Sequence, residues 1–169
     1  MAFAKKPYKP KGKSVLNETA IFPSLQEDVV NALSDKSIFP EPWFNHAGGD
    51  DEAIEHYSTH VMGRFECRDP KCSKHRWSSR KIGITIRRFP GNGYNAVVYK
   101  QRCKLCEKLG VLRLDENSYV ERVAYRLKKW AGIRMDQPEF NGQKHGPPHE
   151  SHLCEACKRG VYGTTTNWW

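Results

Sequence analysis

The sequence predicts an α+β fold: a small domain with an antiparallel β-hairpin core and one packed helix, preceded by an N-terminal helical extension. Three observations predict it: two strand-like segments joined by a Gly/Pro turn, one amphipathic segment of helical period, and six cysteines spaced in pairs. With 169 residues, of which 38% are hydrophobic, the chain is long enough for one domain with its own core.

The N-terminal part of the chain has two predicted regions. Residues 1–13 are rich in Lys and Pro and lack hydrophobic periodicity, so we expect a disordered basic tail. Residues 14–60 form the predicted helical extension. In it Ser24 is the predicted N-cap of a first helix, with Glu27 three residues later as in a capping box. A second short helix is predicted over 53–58.

The hairpin follows from alternation and turn chemistry. Residues Lys81–Phe89 alternate apolar and polar side chains, with Ile82, Ile84 and Ile86 on one side, as in a half-buried strand. Pro90–Gly93 has the composition of a turn, and Tyr94–Arg102 is the second predicted strand. The hairpin therefore ends directly before a cysteine, Cys103.

The packed helix is predicted over Ser118–Ala131. Ser118 and Glu121 have the spacing of a capping box, and Gly132 suits the position just after the helix. The apolar residues recur at helical spacing, which predicts one buried face. They are Tyr119, Val123, Leu127 and Trp130.

The cysteines form three close pairs, and a histidine lies five residues before the third pair. A spacing of two to four residues lets one tight turn present two zinc ligands, and zinc prefers thiolate and imidazole. We therefore predict zinc as the cofactor and a zinc-stabilised fold. The predicted ligands are Cys67, Cys72, Cys103, Cys106, His149, Cys154 and Cys157.

Other roles for the thiols fit the sequence less well. The N-terminus lacks the apolar centre of a secretory signal, and no apolar run approaches the ~18 residues of a membrane span. We therefore expect a protein of the cytoplasm or the nucleus without a membrane partner, and disulfides are rare in both compartments. A redox pair would be followed by a helix, but Cys106 is followed by a turn. His149-Glu-Ser-His152 lacks the spacing of a catalytic zinc helix, so no enzyme is expected.

Positive charge is concentrated in the middle of the chain. The net charge is +9, and residues 64–134 contribute 19 basic against 6 acidic side chains, which is +13. Such a surplus indicates a polyanionic partner, and we predict RNA or single-stranded nucleic acid. The predicted contacts are Arg87, Arg88, Lys100, Arg102, Arg122, Arg126 and Lys129, with Trp77, Tyr94 and Tyr99 as rings for base stacking.

The order of motifs resembles the zinc-binding domain with three CxxC motifs of receptor-transporting proteins, zygote-arrest proteins and uncharacterised fungal proteins. The matching motifs are Arg64-Phe-x-Cys67, Cys72, Trp77-Ser-Ser, Tyr99-x-Gln-x-Cys103-x-x-Cys106, Tyr119-x-Glu121-Arg122, Trp130-x-Gly132 and His149-x4-Cys154-x-x-Cys157-x-x-Gly160. The resemblance implies a domain over 61–163, followed by a C-terminal tail over 164–169.

The resemblance also implies two kinds of function. Zygote-arrest proteins use this domain to bind messenger RNA, whereas receptor-transporting proteins use it beside a membrane anchor, for which this chain shows no segment. A protein-interaction adaptor is therefore the alternative function, with Phe39–Phe44 or Trp168-Trp169 as the contact. The sequence departs from the family pattern in two places. Its first cysteine pair is separated by four residues instead of two, and the cysteine that would be the eighth ligand is missing. Val161-Tyr162 stands where many members have a cysteine, so His152, His75 or His145 is the expected replacement.

Overall fold

A computed structural model describes residues 18–33, 38–73, 76–136 and 149–161. They form a curled sheet with helices, so the α+β prediction is confirmed. The strands are β1 (Thr19–Ala20), β2 (Trp43–Phe44), β3 (Glu55–Glu66), β4 (Arg76–Phe89), β5 (Gly93–Tyr99) and β6 (Val111–Leu114). The helices are α1 (Gln26–Ala32), α2 (Glu116–Trp130) and α3 (Glu155–Lys158), with 3-10 turns at Pro23–Leu25, Pro90–Asn92 and Ser151–Leu153.

The sheet has the strand order β1-β5-β4-β3-β6, and its long strands are antiparallel. The predicted hairpin is strands β4 and β5, joined by the 3-10 turn that contains Gly91 at φ 75°. The predicted short helix over 53–58 is wrong. That segment begins β3, because its backbone pairs with β4, with Tyr57 opposite Ile86.

The predicted N-terminal extension contributes strands as well as a helix. Strand β1 pairs with Tyr99 and Val98 at one end of the outer edge of β5, and β2 pairs in parallel with Gly93 and Tyr94 at the other end. The predicted cap of the first helix is wrong, because Ser24 lies inside the 3-10 turn and α1 begins at Gln26 without a side-chain cap. The predicted tail over 1–13 lies outside the described residues.

Helix α2 begins two residues earlier than predicted and ends one residue earlier, at Trp130, and its predicted cap at Ser118 is wrong. Asp115 is its N-cap, and the Asp115 carboxylate accepts a hydrogen bond from the Ser118 amide at 3.0 Å. The Ser118 hydroxyl instead accepts from the Met62 amide at 3.0 Å, which ties the helix to β3. At the other end Gly132 has φ 79°, and the bond from the Ile133 amide to the Lys128 carbonyl completes a Schellman motif.

The two faces of the sheet are covered differently. Helices α1 and α2 pack on the inner face, where the fully buried side chains include Val29, Val61, Phe65, Ile82, Ile84, Ile86, Tyr94, Val98, Tyr119 and Val123. On the outer face a smaller cluster joins Tyr99 and Val97 to the segment from Cys154 to Val161. The sheet therefore separates the main core from the C-terminal cysteine pair. No helix among the described residues is long and apolar enough to cross a membrane.

Candidate metal centres

The first centre consists of four thiols at one end of the sheet. Cys67 follows β3, Cys72 precedes β4, and Cys103 and Cys106 lie between β5 and β6. Their sulfur atoms all lie within 4.8 Å of one another, with 3.5 Å between Cys67 and Cys106 and 3.6 Å between Cys72 and Cys103. Four sulfur atoms about 2.3 Å from one zinc ion stand roughly 3.8 Å apart in a tetrahedron. The donor set therefore fits zinc.

Two tight turns deliver these thiols. In the first, the Cys72 amide donates to the Asp69 carbonyl at 3.0 Å. In the second, the Glu107 amide donates to the Cys103 carbonyl at 2.8 Å, with Glu107 itself at φ 59°. The Lys108 ammonium lies 2.9 Å from the Asp69 carboxylate and joins the two turns. The Lys108 side chain is 67% exposed and the Asp69 side chain only 13%, so the pair orients the two turns from a partly covered position.

The environment of Cys103 favours its metal-binding form. Burial of this thiol opposes ionisation, but hydrogen bonds from the Cys106 and Leu105 amides and from the Cys72 and Cys106 thiols outweigh it and lower the pKa of Cys103 to about 7. A thiolate is the form that coordinates zinc. The backbone of the second turn therefore prepares this ligand before the metal binds.

The second centre lies on the outer face of the sheet and contains three ligands. The ligand atoms of His149, Cys154 and Cys157 lie within 4.8 Å of one another, and His149 Nε2 is 3.1 Å from the Cys157 sulfur. Cys154 is almost fully buried, and burial raises the pKa of its thiol to about 12. A bound metal ion would compensate the negative charge of the Cys154 thiolate, which burial otherwise disfavours.

The expected eighth ligand is not at the second centre among the described residues. The His152 side chain is 71% exposed and lies 3.9 Å from the Glu150 carboxylate, outside the cluster. The other two candidates, His75 and His145, lie outside the described residues. The second centre is thus an incomplete tetrahedral set in the part of the chain that the structure describes.

The second centre is attached to the strand that leads into the first. The Arg102 amide donates to the Leu153 carbonyl at 2.8 Å, and the Glu155 amide to the Lys100 carbonyl at 3.2 Å. Gln101 pairs with Cys154 as a short antiparallel bridge. The Arg102 guanidinium also contacts the buried Glu155 carboxylate at 2.7 Å. These contacts hold the third cysteine pair next to β5.

A family model described as a zinc-binding domain, the zinc ribbon with three CxxC motifs, matches residues 60–160. The chain belongs to this family. The matched region begins within β3 and includes both centres of the three-CxxC domain, so the family and the donor sets agree on zinc as the cofactor. No curated protein and no solved structure gives a significant match.

The structure does not bring together the seven predicted nucleic-acid contacts of this three-CxxC protein. Arg87 lies 2.6 Å from the Asp50 carboxylate, and Arg88 lies 3.1 Å from that of Glu55, at the end of the sheet beside the acidic loop. Arg102 contacts Glu155 at the second centre. These three side chains are engaged in ion pairs with the protein's own carboxylates.

Of the other four, three lie on helix α2 and one follows β5. The Arg126 guanidinium is buried and lies 3.2 Å above the Tyr57 ring. Arg122 and Lys100 are half-buried, and burial lowers the pKa of Arg122. Only Lys129 is exposed. Six of the seven residues are therefore half-buried or buried.

The rings predicted to stack on bases are packed within the protein. Tyr94 is fully buried, and Tyr99 is 6% exposed. Trp77 stacks on Phe65 with 5.2 Å between ring centroids, and its indole donates to the Gln101 side chain.

The exposed arginines on the outer face of the sheet were not predicted from the sequence. The break in alternation at Ser78-Ser79-Arg80-Lys81 was the available signal for them.

Proposed function

We propose that this three-CxxC protein is a non-enzymatic binder of RNA or single-stranded nucleic acid whose zinc has a structural role. One observation supports it above all: exposed positive charge is concentrated around the first centre and on the adjoining strands. Nine basic side chains are exposed there, namely Arg64, Arg68, Lys71, Arg76, Arg80, Lys81, Lys104, Lys108 and Arg113. Polyanions are the partners that such a surface attracts most strongly.

The donor set of the first centre supports a structural role for its metal. Four thiolates complete the tetrahedral coordination of zinc and leave no position for a water or substrate. In this role the metal fixes two turns and, through them, the ends of four strands. The binding free energy of the ion then contributes to folding, as in other small zinc domains.

The proposal is tested by fluorescence anisotropy of the zinc-loaded protein with a labelled oligo(U) RNA at increasing salt. We expect binding whose logarithmic affinity falls linearly with the logarithm of salt concentration, by about 0.7 for each phosphate contacted. An RNA duplex of the same length serves as a comparison for strand preference. Absence of binding at low salt would refute the proposed function.

A second candidate function, protein docking, is favoured by the exposed rings near β2. The side chain of Phe39 is 94% exposed and that of Trp43 is 47% exposed. Hydrogen bonds hold this segment against the hairpin turn, from the Trp43 indole to the Gly91 carbonyl at 2.9 Å and from the Asn92 amide group to the Pro40 carbonyl at 2.7 Å. The other predicted contact, Trp168-Trp169, lies outside the described residues.

Docking at this surface would depend on the aromatic side chains and respond weakly to salt. The test compares proteins cross-linked to the wild-type chain in cell extract with those cross-linked to a Phe39→Ser variant. A partner lost in the variant and retained at high salt would support docking. Identical sets of cross-linked proteins would refute it.

A further inference from the structure

The outer face of the sheet has an open region between β3, β4 and β6. We propose that Arg64, Arg80 and Arg113 form a groove there that binds the phosphate groups of a nucleic-acid backbone. This inference rests on the proposed function and names the surface that performs it. None of the three residues is among the contacts predicted from the sequence.

The register of the strands places like charges together. Arg64 on β3 lies directly opposite Arg113 on β6 and opposite Ser78 on β4. The next residue, Phe65, points to the inner face and is fully buried, so Arg64 points outward, where its side chain is exposed. Like charges directly across an antiparallel pair destabilise it. Glu66, 3.5 Å from Arg113, compensates part of this repulsion in the free protein, and a bound anion would compensate the rest.

An irregularity in β4 brings a third arginine to the same face. Val61 pairs with Ile82 and Gly63 pairs with Ser79, so that Met62 opposes two residues, Arg80 and Lys81. Such a bulge interrupts the alternation of side chains and can redirect one of them. Both Arg80 and Lys81 are consequently exposed, and Arg80 lies on the face of Ser78 and Arg64.

Close packing keeps this arrangement in place. A side chain at Gly63 would put its Cβ 2.8 Å from the Arg113 carbonyl and 3.0 Å from Ile82. Contacts below 3.0 Å require the backbone to move, so only glycine lets β6 approach β3 this closely at the bulge. The distance between the two strands that present Arg64 and Arg113 is therefore fixed by the fold.

The three side chains line an open groove of about 410 Å³, together with Met62, Ser78 and Leu114. This volume lies within the usual range for small-ligand sites, about 300–1,000 Å³. Two carboxylates are nearby. Asp115 lines the groove but caps helix α2, and Glu66 lies 3.5 Å from Arg113. Among the described residues, no carboxylate forms an ion pair with Arg64 or Arg80.

The chemistry of the groove matches phosphodiesters. Guanidinium groups bind phosphate oxygens through paired hydrogen bonds and stay charged at any physiological pH. The Ser78 hydroxyl provides a further donor on the same face. Since the neighbouring aromatic rings are packed in the protein, the groove offers phosphate contacts without base stacking. Contacts of this kind position a strand and do not read its sequence.

The test compares two triple variants that remove the same charge. Arg64→Gln, Arg80→Gln and Arg113→Gln alter the groove, whereas Lys128→Gln, Lys129→Gln and Arg134→Gln alter the end of α2. Zinc content by mass spectrometry and the circular dichroism spectrum establish that each variant is folded. Binding of the oligo(U) RNA is then measured by anisotropy as a function of salt.

We expect the groove variant to bind about 100-fold more weakly at ~0.1 M salt and its salt slope to fall by about 2, since three contacts contribute about 0.7 each. The control variant should change much less, because charges beyond a Debye length of about 10 Å are screened. Equal losses in both variants would overturn the groove and leave RNA binding intact. Absence of RNA binding by the wild-type protein would refute the proposed function itself.

Discussion

Replacing Arg102 with methionine tests whether the second metal centre depends on the ion pair between Arg102 and the buried Glu155. Glu155 follows the zinc-ligand candidate Cys154, and its side chain is only 5% exposed. Its carboxylate lies 2.7 Å from Arg102 and 3.4 Å from the more exposed Lys158. Methionine keeps the length of the arginine stem and removes its charge, so Glu155 is left with the weaker partner.

The expected cost follows from burial. Removing one partner of a buried pair typically costs about 3–5 kcal/mol, because the remaining charge is left without compensation. Since Lys158 still lies near the carboxylate, we expect about 3 kcal/mol for Arg102→Met. Lys158→Met, which removes an exposed partner, should cost less than about 1 kcal/mol. A double variant, Arg102→Met with Glu155→Gln, removes the buried charge and should recover part of the loss.

The assay is urea unfolding of zinc-loaded proteins, with native mass spectrometry after timed exposure to a chelator. Because Arg102 holds the turn that carries Cys154, the variant should lose one metal ion faster than the wild type and keep the other. RNA binding and its salt slope should stay unchanged, in contrast to the role that the sequence predicted for Arg102. A cost below about 1 kcal/mol, equal to that of Lys158→Met, would refute the dependence on this pair.

Three further predictions concern the metals and the core. Native mass spectrometry should find two zinc ions in the wild-type protein, and a single ion would contradict the presence of two centres. Cys157→Ser should lose one ion and keep the fold, whereas Cys72→Ser should disrupt the end of the sheet. The buried Tyr119 hydroxyl has no hydrogen-bond partner among the described residues, so Tyr119→Phe should stabilise by about 1 kcal/mol, while Tyr94→Phe loses a bond to Gln26 and should destabilise by about as much in urea unfolding. Burial raises the pKa of Tyr94 and Tyr119, so the unfolded chain releases these two protons at a lower pH than the folded protein does. Above pH 10 the free energy of unfolding should therefore fall by about 1.4 kcal/mol per pH unit for each of the two tyrosines. Each phenylalanine variant should remove the contribution of one tyrosine to this slope.

The elements with strong local signals were predictable from the sequence. Alternation around Ile84 and a Gly/Pro turn identified the β4–β5 hairpin, and helical spacing identified α2 with Gly132 at its end. Strand β3 was missed because its inner face carries Thr59 and Gly63 beside Val61 and Phe65 and its pairing is bulged, so no clean alternation is visible. Its strand character comes from β4, which is distant in sequence.

The metal ligands could be predicted as pairs, but their grouping could not. Cysteine spacing identifies each turn, whereas the assembly of Cys67 and Cys72 with Cys103 and Cys106 depends on which strand ends meet. Ion pairs were hidden for the same reason. Arg102 and Glu155 are 53 residues apart, and Arg159 and Glu18 are 141 residues apart. A count of charges along the chain does not show which of them are compensated.

The first metal centre changes which residue types are needed at the end of the sheet. Within its two ligand turns the chain exposes the charged side chains of Arg68, Lys71 and Lys104, where a domain without metal would need apolar residues to hold such turns. Because metal coordination holds the strand ends together, the residues between the cysteines do not have to pack against the core. Substitutions of these residues can therefore change the surface without changing the fold. A binding surface could therefore evolve at this end of the molecule at little cost to the core.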